Sequence, residues 1–594
     1  MINLIRQKDP ANFGLIYAIK ALFGVSLTCL ITFTLAGKAL MLWAISGCVS
    51  VFFITTFKGS NKDRILGLML FVFLSFNLIL LSNFINALGI WLFLPAFVWI
   101  FLAQILSLYS INLSIAMINS AFICFVVLVV SSGISNFNSK FAAFGFILGS
   151  VIALIIRGFS NYGKFTKRAF KVIFNELSFL AKGQISTAQI LDKISKTKDI
   201  LNVKSSQFRD DNLIQNHTKV AFYLYKCEEL VHALALLNLD HTDEIVENIN
   251  ELRKLFLDEE LIFKYEFKNS KNAIVYEILD DIKNGSNAPL LPKKAKFSLK
   301  SFINSLNLNN QTFKFSLKFA LAIAISLIIA NLAQIERGVW VAIGTLCVMK
   351  VSVTEVTKAT FQAIISTTLA VVFAVFMINL LSGSFMIYPF IFVAIFMLFY
   401  FKIFSYPVSN FGLIVCVSIY FFAISGDFKS LMILRLMDMS FGFLIACFVS
   451  FFIFPVKNSQ KFKPLVNEIL ENFVNISNSI IQNQKTGEFT TLNSKNTDKI
   501  SQFRGLFKSP LNTKFDEISK ALVNIRIYSL KNGINSELKK DILDLKIRFI
   551  MLISKLNSRP YYFKDEQDFS LNLTKHLANL QSQIYNDISP NSLN

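Results

Sequence analysis

The stretch Phe13–Ala36, FGLIYAIKALFGVSLTCLITFTLA, and the later stretch 313–334, FKFSLKFALAIAISLIIANLAQ, contain one and two lysines and otherwise almost nothing charged. A bilayer core of about 30 Å is crossed by about 20 apolar residues in a helix, so each stretch predicts one membrane span. Reading outward from the first gives further spans at 40–57, 64–83, 86–108, 112–132 and 138–158. Outward from the second come 338–353, 359–382, 384–404, 407–425 and 431–455. The spacing therefore predicts an all-α polytopic membrane protein with twelve spans in two blocks, 13–158 and 313–456. A tail at 1–12, a helical domain at 159–312 and a helical C-terminal domain at 457–594 lie outside the spans.

Composition agrees with this division. Of 594 residues, 54% are hydrophobic, 63 are Phe and only 16% are charged, with mean hydropathy +0.54. Soluble domains carry roughly a quarter of their residues as Asp, Glu, Lys and Arg, which argues against a soluble enzyme. The net charge of +21 raises nucleic acid as a partner. Its placement argues otherwise, because 159–312 holds 22 basic and 19 acidic residues, and the excess sits beside spans. Arg6, Lys8, Lys58, Lys62, Arg64, Lys164, Lys167, Arg168, Lys171, Lys402, Lys457, Lys461 and Lys463 fall on one side. Lys38, Lys140, Arg337 and Lys429 stand isolated on the other. By the positive-inside bias the first side is cytoplasmic, and with it both termini and the 159–312 domain.

The blocks read as copies of each other. Lys20 precedes Trp43 by 23 residues, and Lys318 precedes Trp340 by 22. An even number of spans in each copy makes the repeat parallel. Outside the blocks, 171–183, 218–238 and 244–264 have helical apolar spacing, and 288–296 reads as a linker.

The sequence has no phosphate-binding loop, no HExxH and no paired CxxC, so it offers no cofactor or metal site and no enzymatic chemistry. Six of the seven Cys lie in apolar runs, and all four His lie outside the spans. Attention passes to charges within spans, which are costly and commonly functional. Arg435 and Asp438, three residues apart, share a helix face and either neutralise each other or serve an anion and a proton. Lys350 ends an apolar run too short to span comfortably; it either snorkels to the interface or marks a broken helix at a transport site. Lys20 and Lys318, near the starts of their helices, either snorkel or form a paired cationic vestibule. Gly145 and Gly149 fit GxxxG, a spacing common in membrane helices by chance.

These features resemble the fusaric-acid-resistance-like inner-membrane proteins, which include bacterial aromatic carboxylic acid exporters. The resemblance rests on Gly338-Val339-Trp340 with Thr345, on Gln362 through Thr367, and on Arg435-Leu436-Met437-Asp438 with Gly442 and Phe454-Pro455. Ala363 and Ser366 depart from it, standing where an Arg and a Gly are usual. The resemblance implies a bacterial inner-membrane secondary transporter that exports hydrophobic or aromatic organic anions with the proton gradient. Lys350, Arg435, Lys20 and Lys318 would meet substrate, Asp438 would couple protons, and Trp340, Thr345, Gln362 and Gly442 would be structural. A passive anion channel and an envelope scaffold are the alternatives. Partners would be the lipid bilayer and a small organic anion, with room for a homo-oligomer or a periplasmic efflux partner and none for nucleic acid.

Overall fold

The computed structural model describes residues 9, 12–55, 57, 61–131, 137–158, 162–201, 223–224, 226–234, 242–255, 273–284, 306–308, 310–335, 338–381, 387–425, 429–456, 459–482, 486–507, 511–532, 534 and 536–558. The 288–296 linker, the extreme termini and the side chain of Arg435 lie outside them, as do parts of 218–238 and 244–264. Among the described residues the protein is all helix, with no strand. It divides into two compact units, Met1–Asn161 with Ala295–Lys457, and Tyr162–Lys294 with Asn458–Asn594.

The apolar runs become the helices of the first unit. They are α1 (Phe13–Phe53), α2 (Asn61–Leu80), α3 (Phe93–Ile105), α4 (Ile111–Ser131), α5 (Ser139–Gly158) and α6 (Gln311–Leu332). After them come α7 (Val339–Val348), α8 (Val353–Leu381), α9 (Ile387–Tyr400), α10 (Tyr406–Ser425) and α11 (Lys429–Phe452). Among the described residues, seven segments are long and apolar enough to cross a membrane, and five more are apolar but shorter, at 10–17 residues. Three spans differ in form from the sequence reading. The run 86–108 is built of short 3₁₀ turns around α3. The first two spans form one 41-residue helix, which at 1.5 Å per residue would be about twice the bilayer thickness if straight. Gly37, at φ +74°, breaks it, and this left-handed conformation costs glycine nothing.

Lipid accounts for which residues are left outside. Phe361, Ile365, Leu369, Val372, Phe376 and Leu380 form an exposed apolar stripe along α8. Three- and four-residue steps keep them on one face, as lipid contact requires. Inside, each block uses the same neighbours: α2 packs on α4 and α5 as α8 packs on α10 and α11. Between the blocks, α1 packs on α9 and α6 on α3.

Polar caps secure the helix starts. Asp9 accepts from the amides of Gly14 (2.8 Å) and Leu15 (3.1 Å) at the start of α1, where the helix dipole favours an anion. Asn310 accepts from the Thr312 amide at 2.9 Å to start α6.

The second unit is a helical assembly with a Phe-rich core. Phe462, Phe503, Phe507 and Phe515 pack ring on ring, with Phe473 between Phe515 and Phe549. Lys226 and Glu229, both buried, pair at 2.8 Å one helical turn apart. His232 lies one further turn along, and burial, helped by the positive charge of Lys520, pushes its imidazole down to about 4. The neutral form is therefore the folded one. Between about pH 6.5 and 4 the unfolded chain binds a proton that the folded chain refuses, so stability falls with pH by as much as about 3 kcal/mol. Limited proteolysis of the full-length protein should accelerate from pH 7 to 5, and His232→Gln should flatten that rise; an unchanged pH profile would contradict this assignment.

Candidate functional site

The second block is organised around α7, which has only ten residues, Val339–Val348. At 1.5 Å per residue it is about 15 Å long, half the apolar thickness of a bilayer. The chain turns extended at Met349, φ −63° and ψ 125°, so backbone carbonyls beyond that point lack helical amides. In a membrane interior such groups need other partners. Lys318 of α6 supplies one: its Nζ donates to the Val351 carbonyl at 2.9 Å, and its side chain passes the ring of Phe315 at 6.0 Å.

Lys318 is only 1% exposed. The carbonyl past the end of α7 holds its ammonium. Lys350, next to the bonded carbonyl, is exposed, so the two lysines share one end of α7 with opposite environments. Lys20 lies half-buried on α1.

Above this break, α7 is locked to α11 by two glycines. A Cβ on Gly344 would sit 2.5 Å from the Met439 carbonyl oxygen, and one on Gly442 would sit 2.1 Å from that of Val341. Such an approach brings polar atoms together. The Thr345 hydroxyl lies 2.9 Å from the Gly442 carbonyl oxygen, 3.1 Å from that of Val341 and 2.6 Å from Ser326 Oγ. Ser326 Oγ also lies 2.8 Å from the Ala322 carbonyl oxygen. Two hydroxyl protons are shared among these four contacts: either Ser326 donates to Thr345 and Thr345 to the Gly442 or Val341 carbonyl, or Thr345 donates to Ser326 and Ser326 to the Ala322 carbonyl, so α6, α7 and α11 meet at one level. Trp340, 5% exposed, begins the same helix.

Asp438 is half-buried on α11, one turn before Gly442, with the backbone of Arg435 a further turn away. Gln362 is half-buried on α8. The Ser366 hydroxyl donates to the Gln362 carbonyl at 2.7 Å. Asn410 of α10 donates to Ser366 Oγ at 2.8 Å and to Thr367 Oγ1 at 3.1 Å. Cys447 of α11 reaches Thr360 Oγ1 at 3.3 Å. Sequence reasoning passed over Ser326 and Asn410. Ser326 had a signal, since it follows Lys318 by eight positions as Thr28 follows Lys20.

The first block has the same lock. A Cβ on Gly149 of α5 would lie 1.8 Å from the Ala44 carbonyl oxygen, and one on Gly47 would lie 2.1 Å from that of Phe146. Gly47 and Gly344 each follow their tryptophan by four positions. Among the described residues, no group of three or more His, Cys, Asp or Glu could hold a metal.

These features define a multi-pass, all-α membrane protein with a short, glycine-locked helix at the heart of its second block. The family model described as fusaric acid resistance protein-like matches residues 323–449, from the middle of α6 through most of α11. The second membrane block thus carries a fusaric acid resistance protein-like domain, and its family points to membrane transport or resistance. No curated protein and no solved structure matches the chain.

Proposed function

We propose that the protein is a secondary exporter of hydrophobic or aromatic organic anions in a bacterial inner membrane, built from two parallel six-helix repeats with its helical domains and termini in the cytoplasm. The anion enters from the cytoplasm between the repeats, meets Lys350 and Arg435 with Lys20 and Lys318 contributing positive potential, and leaves as Asp438 takes up a proton. The observation that carries this reading is the break after α7, inside the family-matched segment. Short or broken helices gather unpaired backbone dipoles where transporters bind their cargo, and Lys318 and Lys350 add positive charge at that point.

Inverted vesicles test it. Uptake of an aromatic acid such as benzoate should depend on an imposed proton gradient, and Asp438→Asn should abolish that dependence while leaving the protein folded. Gradient-independent flux through the unaltered protein would favour the passive channel; coupling intact in Asp438→Asn would remove Asp438 from the mechanism.

A further inference from the structure

Away from α7, the end of α1 gathers a second set of cations. Arg157, in the last turn of α5, donates from Nη1 to the Val51 carbonyl and to the Ile54 carbonyl, the latter at 2.9 Å. Tyr17, in the first turns of α1, donates to the Phe52 carbonyl, and its ring lies 6.0 Å from the Arg157 guanidinium carbon. Lys402, in the turn between α9 and α10, places its ammonium 3.9 Å from the centre of the Phe53 ring. The rings of Tyr17, Phe52 and Phe399 close the seam where α1 meets α9, at centroid separations of 6.1–6.5 Å.

Two basic side chains from different blocks therefore converge on residues 51–54. Their contacts are with carbonyl dipoles and an aromatic face, which satisfy donors without cancelling charge. Among the described residues, neither forms an ion pair with a carboxylate. Asp9, the acid at the start of the same helix, accepts from the Gly14 and Leu15 amides. Like charges taken partly out of water are expensive to hold without a counter-ion.

Position indicates the counter-ion. Arg157 is one residue from the end of α5, Ile54 is the residue after α1, and Lys402 follows α9, so all three lie where helices leave the apolar layer. That is the depth of phospholipid headgroups, and basic pockets between membrane helices on the positive side bind acidic ones. An Arg fork beside a Lys point charge suits phosphate oxygens. Ile19 and Phe23, 52% and 61% exposed on α1, offer a nearby apolar surface for acyl chains.

We propose that Arg157 and Lys402 form a binding site for one phosphate-class oxyanion at the seam between the two membrane blocks. Its source is either an acidic phospholipid headgroup or free phosphate, and the site does not depend on the transport reading. Full-length protein in nanodiscs of phosphatidylcholine, with or without phosphatidylglycerol, tests this by native mass spectrometry of retained lipid. A second arm titrates inorganic phosphate calorimetrically in phosphatidylcholine-only discs. The unaltered protein should retain phosphatidylglycerol, Lys402→Gln should weaken retention about tenfold or more, and Lys402→Arg should preserve it. Phosphate binding that depends on Lys402, without lipid retention, would keep the site and assign it to a soluble ligand. Arg157→Gln also uncaps α1, so Lys402→Gln, which leaves those bonds in place, is the deciding variant. If it aggregates, Lys402→Met keeps the stem over Phe53 and replaces it. Binding of neither probe, or binding unaffected by loss of the Lys402 charge, would overturn the proposal.

Discussion

Gly442→Ala and Gly149→Ala should each abolish recovery of folded protein from the membrane, although each adds a single methyl group. The new Cβ at 442 would lie 2.1 Å from the Val341 carbonyl oxygen and 2.9 Å from the Thr345 amide nitrogen. At 149 it would lie 1.8 Å from the Ala44 carbonyl oxygen and 2.9 Å from the Ala44 Cα. These neighbours are backbone, so no rotamer change relieves the clash, and the helices must separate by more than an ångström. Separation breaks the Thr345–Gly442 bond and opens the small-residue seam, which in lipid has only close packing and polar contacts to hold it. Overpacking of this kind costs about 3 kcal/mol or more, a large part of an ordinary stability of 5–15 kcal/mol. Gly412→Ala is the control, because its Cβ would meet the Met397 carbonyl oxygen at 3.1 Å, which a small shift accommodates. Size-exclusion profiles of the tagged full-length protein should show aggregate for the first two variants and a near-normal peak for the third. A sharp peak at the usual yield for Gly442→Ala would mean that α7 and α11 do not pack as closely as described.

Why that lock escaped sequence reading is instructive. The membrane helices were legible because a long, nearly uncharged apolar run is stable in water only if wholly buried, and a bilayer accommodates it directly. The shortness of α7 was legible because Lys350 ends its run. GxxxG at Gly145 and Gly149 carries little information in a chain rich in membrane helices, and only the opposing carbonyl of Ala44 shows why Gly149 must lack a side chain. Asn410 was invisible for a related reason: its partners Ser366 and Thr367 lie more than 40 positions away on another helix, and no local pattern joins them. Lys318 shows a third limit. Its place near the start of α6 gave its depth, but depth fits both a lysine reaching for water and one satisfying a broken helix. The structure adds the Val351 carbonyl, which accepts from the ammonium and, among the described residues, from no amide.

Lys318→Met should lower the stability of the first unit by about 2 kcal/mol. Methionine keeps the unbranched stem and fills most of the buried volume, so the change removes charge and donor while nearly preserving packing. Two terms oppose each other. Loss of the ammonium leaves the Val351 carbonyl without that donor in a water-poor setting, at a cost of about 1–3 kcal/mol. It also relieves the cost of keeping a cation 1% exposed, and replacement of buried charge by apolar side chains is often neutral or stabilising where both partners of a pair are removed. Here only one partner goes. The carbonyl stays, fixed between the end of α7 and the start of α8, where the Val353 amide already donates to the Val456 carbonyl at 3.1 Å and ties down the turn. The unsatisfied acceptor therefore outweighs the relief, and the destabilisation is net. Heating detergent-purified protein and measuring the surviving monodisperse fraction should place the Lys318→Met midpoint several degrees below that of the unaltered protein. A midpoint equal to or above that of the unaltered protein would show that the charge is held at a net cost in stability. Lys318 would then belong with the groups kept for anion passage, and its flux phenotype would exceed its folding phenotype.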